Sequence, residues 1–247
     1  MSHRYRNILF LGAAMALTTA CASGPRLEQF NAEGLFAHAL EMKREENWAR
    51  AVDAFQRFTF EYPTHPRYQE ARFELAEAYF SDEQYITAAN EYARLADEYP
   101  AGPWADDSRF RVCESYYELS PRVELDQEYT RAAIEHCQSL MAYHPGSPFE
   151  DRANAIIVEM REKLGQKLYQ TGAYYERRGA VDSAILYFEQ AVAEQPQTSI
   201  APRALARLIR IYDELEYREE GQSARDRLQR DYPDSPEAKA LQGGDGA

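Results

Sequence analysis

The sequence holds no Ser-centred nucleophile elbow, no glycine-rich phosphate loop and no pair of histidines at metal-ligand spacing. Catalysis needs an activated group with an oriented partner, and nothing here supplies one, so a non-enzyme with no catalytic residues is expected. The five histidines (His3, His38, His65, His136, His144) stand apart from one another and from the cysteines, and neither a metal nor a cofactor is expected. The adjacent carboxylates Glu45 with Glu46 and Glu219 with Glu220 lie among many charges beside turns, where they read as solvated faces. A basic run or stripe is missing too, in a chain with 41 acidic against 28 basic groups and a net charge of −13. Binding DNA relies on Lys and Arg displacing counterions from phosphates, so no nucleic-acid partner is expected. Acidity of this size favours solubility and partners with basic patches. No apolar run approaches the roughly 20 residues of a membrane-spanning helix.

One shorter apolar run is present at the start. Arg4 and Arg6 precede an uncharged stretch from Ile8 to Leu17, and the small residues Thr18, Thr19 and Ala20 then lead to Cys21. This is the layout of a signal peptide over residues 1–20. Its end resembles the lipobox of bacterial lipoproteins, although Thr18 stands where such boxes usually carry Leu. That resemblance implies cleavage before Cys21 and acylation of its thiol and amine, and several acyl chains together hold a protein on a bilayer where one is marginal. Ala22 and Ser23 follow, without the Asp that marks inner-membrane retention in enterobacteria, which implies delivery to the outer membrane. The mature chain, with 41 acidic against 26 basic groups, is near −15.

Only Cys113 and Cys137 remain, both on the apolar side of expected helices. They read either as small buried core residues or as a disulfide formed in an oxidising compartment, and the sequence leaves both open.

The body of the chain repeats one phrase: EYPTHP at 61–66, EYPAGP at 98–103, YHPGSP at 143–148 and DYPDSP at 231–236, with a weaker copy, EQPQTSIAP, at 194–202. The leading prolines, Pro63, Pro100, Pro145, Pro196 and Pro233, are spaced by 37, 45, 51 and 37 residues, a solenoid-like period. Between them apolar residues recur every three or four positions, which predicts two amphipathic helices per repeat. The first proline of each phrase stops a helix, and the second is expected to begin the next, where its missing N–H costs nothing. The expected fold is all-α: an α-solenoid of five tetratricopeptide-like helix hairpins. The second repeat carries Leu75, Ala76, Tyr79, Ala88, Tyr92, Leu95 and Pro100, and the fourth carries Leu168, Gly172, Tyr175, Ala184, Phe188, Ala191 and Pro196. These match the large, small and aromatic positions of the tetratricopeptide pattern. The 45-residue step predicts a longer loop around Leu119 to Asp126 inside the third hairpin. The 51-residue step predicts an extended helix from about Phe149 to Arg178. Residues 21–30 read as a tether below the lipid, 31–145 as N-terminal repeats, 146–236 as C-terminal repeats and 237–247 as a disordered tail.

Those two departures, the lipoprotein start, the stretch YPTHPRYQEARFELAEAYF at 62–80, DQEYTRAAIEHCQSLMAYHPGSPF at 126–149 and AYYERRGA at 173–180 together resemble the BamD (YfiO) family of outer-membrane assembly lipoproteins. The similarity spans roughly residues 30–235. It implies a lipid-anchored subunit of the β-barrel assembly machine, facing the periplasm from the outer membrane, with accessory lipoproteins as further candidate partners. By the same resemblance the N-terminal repeats bind unfolded outer-membrane β-barrel clients, with Tyr68 and Arg67 in the first inter-repeat joint as candidate contacts. The C-terminal repeats dock the periplasmic domain of the barrel-forming partner, BamA, with Arg178, Tyr174 and Tyr175 as candidate contacts. Tyr68 reads equally as an aromatic packed between hairpins, and Arg178 as a cation at the negative end of a helix dipole. A different class of tetratricopeptide lipoprotein, a pilus-assembly pilotin or a cell-division coordinator, shares the anchor and the repeats. Recovery of a secretin or a peptidoglycan factor in place of a barrel protein would distinguish it.

Overall fold

The computed structural model describes residues 27–244, so the signal peptide, Cys21 and the first part of the tether lie outside the described residues. After one 3₁₀ turn at Leu27–Gln29 come α1 (Ala32–Arg44), α2 (Trp48–Glu61), α3 (Tyr68–Ser81), α4 (Tyr85–Glu98), α5 (Ala105–Leu119), α6 (Glu128–Tyr143), α7 (Glu150–Arg177), α8 (Val181–Glu194), α9 (Ile200–Glu214), α10 (Arg218–Asp231) and α11 (Pro236–Gly244). No strand occurs among the described residues. Each helix from α1 to α10 packs on the next in chain order, and connectors this short make neighbours antiparallel. The result is a solenoid of five hairpins, α1/α2 to α9/α10, as the proline period predicts.

Antiparallel alternation gives the stack two edges. Turns inside the hairpins lie on one, here the turn edge, and the proline joints between hairpins lie on the other, the joint edge. Four of the five hairpin turns are the same object. In the first, Glu46 N–H donates to the Lys43 carbonyl at 3.1 Å and Asn47 N–H to the Met42 carbonyl at 2.8 Å, the paired bonds of a Schellman cap. The same pair recurs at Glu83 and Gln84, Gly179 and Ala180, and Glu216 and Tyr217. Its middle residue is left-handed each time: φ is 56° at Glu46, 59° at Glu83, 73° at Gly179 and 59° at Glu216. Only the fourth repeat meets that demand with glycine.

At the joints, α2, α4, α6, α8 and α10 all end two residues before the leading proline. The second proline departs from expectation. Pro66, Pro103 and Pro148 precede their helices by two residues, Pro202 is the third residue of α9, and only Pro236 opens a helix. In the first three, the proline follows a carbonyl that accepts from the N–H three residues on: His65 from Tyr68 at 2.9 Å, Gly102 from Ala105 at 3.2 Å and Ser147 from Glu150 at 3.1 Å. Proline's fixed φ suits the second position of such a turn, so it aims the next helix without joining it.

Three apolar cores run along the stack. The first joins α1 to α5 around Phe36, Phe55, Phe58, Phe73 and Tyr92, with the Phe36 ring edge-on to Phe55 and Phe58 at 5.6 and 5.4 Å. Full burial of such a ring contributes roughly 1.5–3 kcal/mol. A small second core of Phe110, Cys113, Cys137, Leu140, Ala153 and Ile157 joins α5, α6 and the start of α7. The third surrounds Phe188, Leu205, Leu208 and Leu228 in the last two repeats. Cys113 and Cys137 form a disulfide with Cα atoms 4.9 Å apart, which resolves the alternative the sequence left open.

Two boundary expectations are corrected. Residues 237–244 are not a disordered tail but most of α11: Ser235 Oγ accepts the Ala238 N–H at 3.1 Å, Ala238 is fully buried and Leu241 packs on the third core. Order also begins before residue 31, since Leu27 and Phe30 pack against the first core and Phe30 stacks on His38 at 5.0 Å. In both places a few apolar side chains at helical spacing seal an end of the stack.

Candidate functional site

The candidate contacts fall on opposite edges, Arg67 and Tyr68 on the joint edge and Tyr174, Tyr175 and Arg178 on the turn edge. Arg67 precedes α3. Its guanidinium lies 3.6 Å from the Phe36 ring centroid, donates from Nε and Nη2 to Glu70 at 2.8 and 2.9 Å and comes within 3.7 Å of Glu33. The bond to Glu70 raises the Arg67 pKa against the lowering effect of burial. Arg67 therefore fastens α1 to α3 with its charge already matched. Tyr68 is half-buried at the start of α3, its ring 5.9 Å from the guanidinium of Arg72, which is itself buried and bonded to Glu98. On the same edge, Phe60 near the end of α2 is 86% exposed and Tyr143 at the end of α6 is 69% exposed. Sequence reasoning passed over both, because an aromatic one turn before a proline joint looks like every core aromatic until the helix face is known.

The turn edge of repeats four and five is built differently. The last turn of α7 carries Tyr174, Tyr175, Glu176, Arg177 and then Arg178 as the capping residue. Tyr175 faces inward and stacks on Tyr187 of α8 at 5.5 Å, so it is a packing residue. Tyr174 is 46% exposed and edge-on to Tyr175. The Arg178 guanidinium lies 5.3 Å from the Tyr174 ring centroid, a cation–π arrangement, and Arg178 is exposed. Among the described residues neither Arg177 nor Arg178 pairs with a carboxylate, because Glu176 is engaged by Arg207 and Arg210 of α9. On the same edge the α9–α10 turn exposes Leu215 and Tyr217, the latter stacked on Tyr212 at 6.4 Å. These two also escaped the sequence reading, since only the shared turn geometry places them beside the end of α8's hairpin partner.

A ladder of charges runs between the first helices of successive repeats. Lys43 of α1 reaches Glu74 at 2.5 Å and Glu77 at 4.0 Å on α3. Arg111 of α5 pairs with Glu77 at 2.5 Å and with Glu114 at 2.9 Å, and Arg152 of α7 reaches Glu114 at 2.5 Å. The fully buried Tyr92 donates its hydroxyl to Glu77, and burial together with Glu77 pushes the phenol far above its usual range. Burial opposes the charge on Arg111, yet Tyr92 and Glu77 keep its pKa raised.

Among the described residues no group of three His, Cys, Asp or Glu side chains is placed to hold a metal, and no helix is long and apolar enough to cross a membrane.

A kinesin light chain with TPR-like repeats from Podosopora anserina is similar at 17% identity and a TM-score of 0.37, over 85% of this chain and 96% of its own. A thermophilic TPR protein from Thermus thermophilus is similar at 16% identity and a TM-score of 0.37, over 87% of this chain and 98% of its own. No protein of curated function matches the sequence significantly. The family model described as YfiO, outer membrane lipoprotein, matches residues 28–228. With most of its length inside that match, the chain belongs to the YfiO family of outer membrane lipoproteins.

Proposed function

We propose that the protein is a non-catalytic subunit of the β-barrel assembly machine, tethered to the outer membrane through acylated Cys21 and facing the periplasm. It binds the barrel-forming, BamA-like partner on the turn edge of repeats four and five and receives unfolded outer-membrane clients at the N-terminal repeats, promoting their folding and insertion. Membership in an outer membrane lipoprotein family supports the location, and the Cys113–Cys137 bond suits an oxidising compartment.

The observation that carries the reading is Arg178. It is an exposed cation on an exposed aromatic and, among the described residues, has no carboxylate beside it, whereas most described cations are matched. Such a group meets an acidic side chain of a partner without first breaking an internal pair. For the client, Phe60 and Tyr68 offer apolar surface at the first joint, while Arg67 positions that joint.

Affinity capture of the tagged lipoprotein from envelope extracts tests this. The wild-type chain recovers a barrel-forming protein with periplasmic domains, and Arg178→Glu loses most of it while the helical circular dichroism signal is unchanged. Recovery of a secretin or a peptidoglycan factor in its place refutes the role and leaves the fold standing. Mass analysis of the N-terminal peptide checks the anchor separately, the expected result being Cys21 carrying acyl chains.

A further inference from the structure

The groove between the third and fourth repeats has a second character. Two adjoining cavities of about 390 and 410 Å³ share Ile134, Glu194 and Gln195. They are bounded by α6 and α8, with α7 beneath, and their apolar lining includes Ile134, Leu164, Leu168 and Tyr187. Arg131, Arg161 and Lys167 rim them, opposed by Glu194.

The state of those cations sets the groove apart. Among the described residues, eight of the nine Lys and Arg side chains from Lys43 to Arg111 lie within 4.0 Å of a carboxylate, Arg50 being the exception. From Arg122 to Arg178 only Arg152 does. Arg161 instead donates to the Gln197 side chain at 3.0 Å. Lys167 donates to the carbonyls of Val123, Glu124 and Leu125 at 3.3, 3.2 and 2.7 Å. These bonds orient the cations and leave their charge unneutralised. Two carboxylates of α7 are engaged elsewhere, Glu159 by the Tyr117 hydroxyl and Glu162 by the Ser199 backbone and hydroxyl.

We infer that this groove is a docking site for an acidic amphipathic helix of a protein partner. The all-helical walls present no strand edge on which an extended peptide could build main-chain hydrogen bonds, so recognition falls to side chains, as when an amphipathic helix lays its apolar face in a groove. The apolar floor takes that face, and Arg131, Arg161 and Lys167 take flanking Glu or Asp. Complementarity of this kind raises association rates and selects against basic partners, in a molecule whose overall charge of −13 otherwise repels acidic ones. The site does not depend on the role assigned to Arg178, which lies on the turn edge.

The probes are two fluorescein-labelled peptides of about five helical turns, one with Leu at helical spacing and Glu elsewhere, the other identical but with Lys for Glu. Anisotropy titrations against the mature lipoprotein in detergent follow binding. The acidic peptide binds, the basic one binds at least about tenfold more weakly, and Arg131→Glu with Arg161→Glu lowers acidic-peptide affinity by a similar factor. Among the described residues neither position has an ion partner, so circular dichroism of the double variant is unchanged, and Arg178→Glu leaves peptide affinity as it was. Failure of the acidic peptide to bind, equal binding of both peptides, or full binding by the double variant overturns the inference. Loss of binding in Arg178→Glu overturns it as well, by moving the contact to the turn edge.

Discussion

Repeats one to three and repeats four and five bury the same pattern of side chains by different means. In the first region the small position on α3 is Ala76, packed near Tyr92, and a ladder from Lys43 through Glu77, Arg111 and Glu114 to Arg152 crosses each interface. In the second region the equivalent positions are Gly172 and Phe188, and the helices come closer: a methyl group on Gly172 would lie 2.9 Å from two carbons of the Phe188 ring. Glu176 there pairs with α9, leaving Arg177 and Arg178 to solvent. A matched ladder adds rigidity and consumes charge; close apolar fitting needs no charge and leaves cations available. Both regions pair ions internally, but among the described residues the cations without a carboxylate within 4.0 Å are Arg50, Arg122 and Arg131 in repeats one to three and Arg161, Lys163, Lys167, Arg177, Arg178, Arg203 and Arg218 in repeats four and five.

The largest way to break this contrast lies at the boundary. The third hairpin has an eight-residue loop where the others have a Schellman turn, its core holds six buried side chains, and the disulfide closes 24 residues of chain. Chain-entropy reasoning gives that crosslink about 3.5 kcal/mol. Cys113→Ala with Cys137→Ala, or reduction of the wild type, is expected to lower the thermal midpoint and split a single unfolding transition into two, one for each flanking region. A calorimetric scan that stays single and unmoved would mean the cores couple without the bond. Glu77→Ala comes next, leaving the buried Tyr92 hydroxyl without its acceptor and Arg111 with Glu114 alone, and should cost about 2–3 kcal/mol in urea unfolding. Gly172→Ala should cost about 1–3 kcal/mol through overpacking, while a glycine at Ala76 costs less, near 1 kcal/mol. If the two substitutions cost the same, the difference in fit is illusory.

The smallest expected effect concerns His136, half-buried and stacked on Tyr116 at 4.6 Å. Burial lowers its pKa, Arg109 lowers it further and Glu135 opposes them. A histidine held neutral in the fold adds stability that is present above its unfolded pKa of about 6.5 and is lost as pH falls below it. The urea midpoint of the wild type is therefore expected to drop more between pH 7 and 5 than that of His136→Phe.

Much of the scaffold was readable in advance because its signals are local. The leading proline of each joint stops the helix before it, so every second helix from α2 to α10 ends two residues ahead of one, and the 28-residue α7 was visible in the widest proline spacing. The inward positions followed from helical period, down to Gly172. The edges were less legible. Whether Arg67 faces a client or Phe36, and whether Phe60 is core or surface, depends on the rotation of a helix set by its neighbours, which no local pattern encodes. The Cys113–Cys137 pairing depends on α5 and α6 meeting across a loop, and α11 on two small contacts, Ala238 and Leu241, in a glycine-rich terminus. Of the contacts carried over from the family, Tyr174 and Arg178 stand exposed, whereas Tyr175 and Arg67 are engaged within the fold.

The first half of α7 packs in the second core and its last turns pack in the third. At 28 residues and 1.5 Å per residue it is a rod about 42 Å long, held near its middle by Lys163 on Ser120 and Lys167 on the insertion loop. Here the second and third cores are packed against one unbroken helix, so Ala153 and Ile157 of the one and Leu168 and Tyr169 of the other are carried on a single continuous backbone.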